Sequence, residues 1–78
     1  DMSQEAKPFS MAYVLRTTAK HMRKSIKLSI DKTLSRVDEL SNDPIKSAEI
    51  FKTLGQLHAM RKQLDDFQAQ NSNNFKGE

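Results

Sequence analysis

The sequence predicts an all-α protein: a two-helix antiparallel hairpin, completed by self-association or by a partner helix. Between Met11 and Leu40 there is neither glycine nor proline, and apolar residues recur every three or four positions, which is helical spacing. Residues 44–70 repeat this spacing, and the stretch SNDPIK, residues 41–46, separates the two runs. With 78 residues, the chain is one small domain.

The first helix is predicted over about residues 10–41. Ser10 is a candidate N-cap, because its hydroxyl can accept a hydrogen bond from a free amide of the first turn. Residues 1–9 are polar and include Pro8, so we expect a flexible N-terminal tail there. Asp1 precedes Met2, which suggests that the natural chain begins at Met2.

The turn is predicted at SNDPIK. Asp43 followed by Pro44 is a strong helix-start signal, with the aspartate as N-cap and the proline at the first helical position. Pro44 also disfavours helical geometry at the residue before it, so the first helix should end near residues 40–42. A connection this short between long helices favours an antiparallel hairpin.

The second helix is predicted over about residues 44–70, followed by a flexible tail over residues 71–78. Gly55 lies inside this helix, where it costs about 1 kcal/mol relative to alanine. It is either a tolerated defect or a place where a partner helix approaches closely. The final stretch NSNNFKGE is polar, so we expect it to fray.

Apolar residues of both helices form a predicted seam that faces the other helix or a partner. The seam residues are Met22, Ile26, Ile30, Leu34, Val37, Ile50, Leu54, Leu57 and Leu64. Only 36% of the chain is hydrophobic, below the about 45–50% of an average domain. A two-helix hairpin of this kind buries too little apolar area to offset chain entropy comfortably. We therefore expect a third surface: a second copy giving a four-helix bundle, a different protein, or a polymer of the chain itself.

Composition gives little support to enzymatic chemistry. There is no cysteine, which excludes disulfides and thiolate metal sites, and His21 and His58 are too few and too far apart in sequence to make a metal site. We predict no catalytic residues, no cofactor, no metal and no small-molecule substrate. No apolar run approaches the roughly 18–20 residues of a membrane span, and we expect a cytoplasmic location.

A group of basic residues on the first helix, here called the basic ridge, is the second candidate site. The ridge consists of Arg16, Lys20, Arg23, Lys24 and Lys27. Between Arg16 and Arg36 the only acidic residue is Asp31, although the net charge of the whole chain is only +3. The ridge is a solvated helix face, or it contacts an acidic protein, a nucleic acid or a membrane surface. Nucleic-acid binding through this ridge is the alternative function.

The stretch ELSNDPIKSAEIFKTLGQLHAMRKQL, residues 39–64, resembles small helical proteins of bacterial type III secretion, namely needle subunits and small chaperones. The resemblance rests on Asn42, Asp43, Pro44 and Lys46, which match a turn between a helix and a second amphipathic helix. Needle subunits carry an apolar C-terminal stretch, whereas this chain ends in NSNNFKGE, so the resemblance implies a chaperone or regulator instead. The favoured function is a non-enzymatic adaptor or secretion chaperone that holds a partner helix through its apolar stripes.

Overall fold

The computed structural model describes residues 10–40 and 42–76, and these residues form helices without any strand. In chain order the helices are α1 (Met11–Leu34), α2 (Val37–Leu40), α3 (Pro44–Gln70) and α4 (Ser72–Lys76). The predicted all-α class is confirmed. The predicted tail over residues 1–9 lies outside the described residues, as do Ser41 and residues 77–78.

Helix α1 begins where the sequence predicts but ends earlier. The Ser10 hydroxyl accepts a hydrogen bond from the backbone N–H of Tyr13 at 3.2 Å. At the other end, the Thr33 hydroxyl donates to the backbone carbonyl of Ser29 at 2.7 Å. The Ser35 hydroxyl donates to the backbone carbonyl of Lys32, also at 2.7 Å. Such bonds compete with regular helical pairing. The predicted helix over 10–41 is therefore divided, with a turn at Ser35 and Arg36 before α2.

Helix α3 has the range predicted for the second helix. The carboxylate of Asp43 accepts hydrogen bonds from the backbone N–H groups of Ile45 and Lys46, both at 3.1 Å. Pro44 occupies the first turn, where an amide would have no helical partner. The start of α3 is thus fixed by the two residues that the sequence singles out.

The sequence predicts a flexible tail over residues 71–78, but Ser72–Lys76 form the helix α4. The side-chain amide of Asn71 donates to the Phe67 carbonyl at 2.9 Å and closes the end of α3. The chain then turns into α4, which brings Phe75 back onto α1 and α3, where it is 5% exposed. Burying a phenylalanine stabilises by about 2–3 kcal/mol, and Arg16 adds hydrogen bonds to the carbonyls of Phe75 and Lys76. Together these contacts hold the segment on the core despite its polar composition.

The core is thin and lies where α1 meets the C-terminal part of the chain. Ala19, Leu64 and Phe75 pack together in it, with Leu15 against them. The buried hydrophobic residues of the described chain are Ala12, Ala19, Ile26, Ile30, Ile50, Leu64 and Phe75. Contacts of α1 with both α3 and α4 hold the helices together.

Candidate helix-binding groove

The predicted seam residues differ widely in exposure. Those that are buried are Ile26, Ile30, Ile50 and Leu64. Those that are half-buried are Val37, Leu54 and Leu57. Met22 and Leu34 are 45% and 51% exposed, so they do not complete the contact between the helices. Most of the predicted seam residues are therefore buried or half-buried within the chain, whereas Met22 and Leu34 remain accessible.

An apolar groove of about 370 Å³ lies between α1 on one side and α3 and α4 on the other. Its floor is made of the buried lining residues Ala19, Ile26, Leu64 and Phe75. None of the ten residues that line it carries a charge. We call this site the groove.

Three large side chains form the accessible walls of the groove: Met22, Met60 and Phe67. Their exposed fractions are 45%, 48% and 48%. Methionine adapts to irregular partners, and methionine and aromatic residues are enriched in protein interfaces, whereas charges are depleted at interface centres. An amphipathic helix binds such a groove by inserting apolar side chains spaced three, four and seven positions apart.

Phe67 and Phe75 give one end of the groove a defined shape. Their rings meet edge to face, with centroids 6.0 Å apart and planes at 73°. Phe75 was not among the predicted site residues. The pattern that could have found it is Leu64, Phe67, Asn71 and Phe75, whose steps of three, four and four continue the helical spacing of α3.

Two arginines of the basic ridge are engaged within the chain. The Arg16 guanidinium donates to the carbonyl oxygens of Phe75 at 2.5 Å and of Lys76 at 3.3 Å. These carbonyls lie at the C-terminal end of α4, where a positive charge is favourable. Arg23 donates to a carboxylate oxygen of Asp65 and to the side-chain carbonyl of Gln68, both at 2.5 Å. Both arginines thus tie α1 to the C-terminal part of the chain.

The three lysines of the ridge are more accessible. Lys27 pairs with Asp31 at 3.4 Å, four positions along the same helix. Lys20 and Lys24 are exposed, and among the described residues neither takes part in an ion pair. The five ridge residues therefore do not act as one free surface.

A second, polar pocket of about 240 Å³ lies near the turn between α1 and α3. Arg36, Lys46 and Glu49 contribute its charged side chains, and Thr33 and Thr53 contribute hydroxyls. Within residues 10–40 and 42–76, none of these charged groups takes part in an ion pair. This polar pocket and the apolar groove occupy opposite ends of the same pair of helices.

No protein-family model, curated protein or solved structure matches this chain. In the part of the chain that the structure describes, no helix is long and apolar enough to cross a membrane. The same part has no group of three or more histidine, cysteine or acidic side chains that could hold a metal ion.

Proposed function

We propose that this protein is a helical protein–protein interaction module, of adaptor or chaperone type, whose groove holds a helical partner. The observation that carries the proposal is the uncharged groove, in which half-exposed Met22, Met60 and Phe67 stand over a buried floor. Covering the exposed half of each of these side chains is worth about 1 kcal/mol. Covering these apolar side chains with a partner is therefore more favourable in free energy than leaving them exposed to water.

The architecture that we propose for this module is an antiparallel hairpin with its turn at SNDPIK. Two kinds of contact support it. Residues early in α1 meet residues late in the chain, as in the bonds from Arg16 to Phe75 and from Arg23 to Asp65. Residues at the end of α1 and just after it share a pocket with the first turns of α3. Both kinds of contact have the order that an antiparallel pair requires.

The resemblance of residues 39–64 to small type III secretion chaperones belongs to the same proposal. The groove supports this version, because a chaperone needs an accessible apolar surface for a segment of another chain. The adaptor and chaperone versions share the same binding site and differ in what becomes of the bound partner.

A photo-crosslinking experiment tests the groove directly. A benzoylphenylalanine placed at Phe67, inside the groove, should form a protein adduct in cells that make this protein. The same group at Phe51 is the matched control, because Phe51 is 63% exposed but does not line the groove. We expect an adduct from position 67 that disappears when Met60→Glu is added. No adduct from position 67, or equal adducts from both positions, would contradict the proposal.

Nucleic-acid binding through the basic ridge is the less supported alternative. Two of its five residues, Arg16 and Arg23, already donate to groups of the same chain, which leaves mainly Lys20 and Lys24 for phosphates. The double variant Lys20→Glu, Lys24→Glu should leave the adduct from position 67 unchanged. Salt-dependent binding of a nucleic acid that this variant abolishes would favour the alternative instead.

A further inference from the structure

The face that contains the groove also contains the polar pocket. Thr33 lies eleven positions after Met22 on α1, and Glu49 lies eleven positions before Met60 on α3. Eleven residues make about three turns of α-helix, so each pair points to the same side of its helix. The face is therefore apolar at the end near Phe75 and charged at the end near the turn.

Between its two ends, this face carries small or uncharged side chains. Ser25 and Ser29 lie between Met22 and Thr33 on α1, and Gln56 lies between Thr53 and Met60 on α3, at helical spacing. All three are exposed. Small side chains permit the close approach of another pair of helices, and uncharged ones can be covered without removing an ion from water.

The size of the face matches that of a stable dimer interface. Helix α1 has 24 residues and is therefore about 36 Å long. Two helices side by side, with axes about 8–10 Å apart, present a width of about 20 Å. The face then covers roughly 700 Å², close to the about 800 Å² per partner of a standard specific interface.

We propose that the occupant of the groove is the same face of a second copy of this chain, with the turns of the two hairpins at the same end. The inference rests on the proposed function, since it names the partner of the same groove. A two-fold axis parallel to the helices places α1 of one copy against α3 of the other. Met22 then meets Met60 of its partner, and apolar surface covers apolar surface.

Charge at the turn end favours this arrangement. The same axis places Arg36 of one copy at the level of Glu49 of the other, and symmetry repeats the contact. Turns at opposite ends would instead set the charged pocket of one copy against the apolar groove of the other, which would remove charges from water without partners. The four long helices of the dimer, α1 and α3 of each copy, give the thin core of each chain a second layer.

Sedimentation over a wide concentration range is the first test. The chain has a mass of 8.9 kDa, and we expect a species of about twice that mass. Met60→Glu should weaken the dimer at least tenfold, whereas Phe51→Glu, outside the groove, should not change it. A wild-type chain that stays monomeric throughout would overturn the inference.

Disulfide trapping tests the orientation and remains informative if Met60→Glu fails to fold. Because the chain has no cysteine, Ser29→Cys and Gln56→Cys give two single-cysteine variants. After mixing and oxidation, we expect more disulfides between a Ser29→Cys chain and a Gln56→Cys chain than between two copies of the same variant. A disulfide needs Cα atoms within about 7 Å, so mixed bonds at or below the statistical proportion would overturn the proposed orientation.

A charge exchange gives an independent check. Arg36→Glu and Glu49→Arg each place like charges at both symmetric contacts of a homodimer, and each should weaken it by roughly tenfold. An equimolar mixture of the two variants has opposite charges at both contacts and should dimerise like the wild type. A mixture as weak as the separate variants would overturn the inference.

The photo-crosslinking result separates this inference from the proposed function. An adduct of two copies of this chain, together with a dimer in solution, supports both. An adduct with a different protein, together with a monomer in solution, overturns the second copy and leaves the proposed function intact. A monomer that forms no adduct from the groove overturns both.

Discussion

Replacing Phe75 with alanine removes the one aromatic side chain that α4 contributes to the core. Phe75 is 5% exposed, packs against Ala19 and Leu64, and meets the ring of Phe67. Buried phenylalanine-to-alanine changes cost about 3–5 kcal/mol. We expect the lower end, about 3 kcal/mol, because a five-residue terminal helix can shift to fill part of the space. For a domain of this size, each kcal/mol lowers the Tm by about 4–8 °C, so the expected decrease is about 12–24 °C.

Thermal unfolding followed by circular dichroism measures this effect, with Phe51→Ala as the matched control. Phe51 lies on α3 with 63% of its surface exposed, so the same chemical change there should alter stability by no more than about 0.5 kcal/mol. Both variants must be compared at one protein concentration, because association makes the Tm depend on it. Equal shifts for the two variants would refute the packing of α4 on α1 and α3.

Three further substitutions test other parts of the fold. Gly55→Ala should stabilise the folded state by about 1 kcal/mol, because an added Cβ meets nothing within 4 Å. A urea midpoint below that of the wild type would instead show that another helix approaches there. Asp43→Ala should cost about 1 kcal/mol through loss of the N-cap of α3, and a midpoint equal to that of the wild type would contradict this capping role. Arg23→Ala should cost about 1 kcal/mol through loss of its bonds to Asp65 and Gln68. This cost should shrink as salt screens the partly exposed pair, and Lys20→Ala, the control, should change the midpoint little at any salt concentration.

Local signals in the sequence account for much of the helical structure. Ser10 and the pair Asp43 and Pro44 predict the starts of α1 and α3, since a cap depends on side chains within a few residues. The early end of α1 depends on Thr33 and Ser35 donating to nearby carbonyls. Many exposed serines and threonines in helices are not accompanied by a helix end, so this pattern alone does not predict one.

The groove is harder to predict than the helices. Spacing places Ile26 and Leu64 on apolar stripes, and both are buried. The accessibility of Met22 and the return of Phe75 depend on how far apart the helices lie and where the chain turns after α3. Arg16 and Arg23 look like free ridge residues in the sequence because their partners are 59 and 42 positions away. Contacts over such separations leave no local pattern.

The position of Phe75, 56 residues after Ala19 and 11 residues after Leu64, has a consequence for the order in which the fold forms. Phe75 packs against both of these residues, and its contact with Ala19 joins distant parts of the chain. The contacts near the turn join residues close in sequence and can form first, whereas Arg16 must wait for the carbonyls of α4. The floor of the groove is therefore completed only after α4 has packed on α1, and a chain in which only the contacts near the turn have formed has no finished site with which to hold a partner.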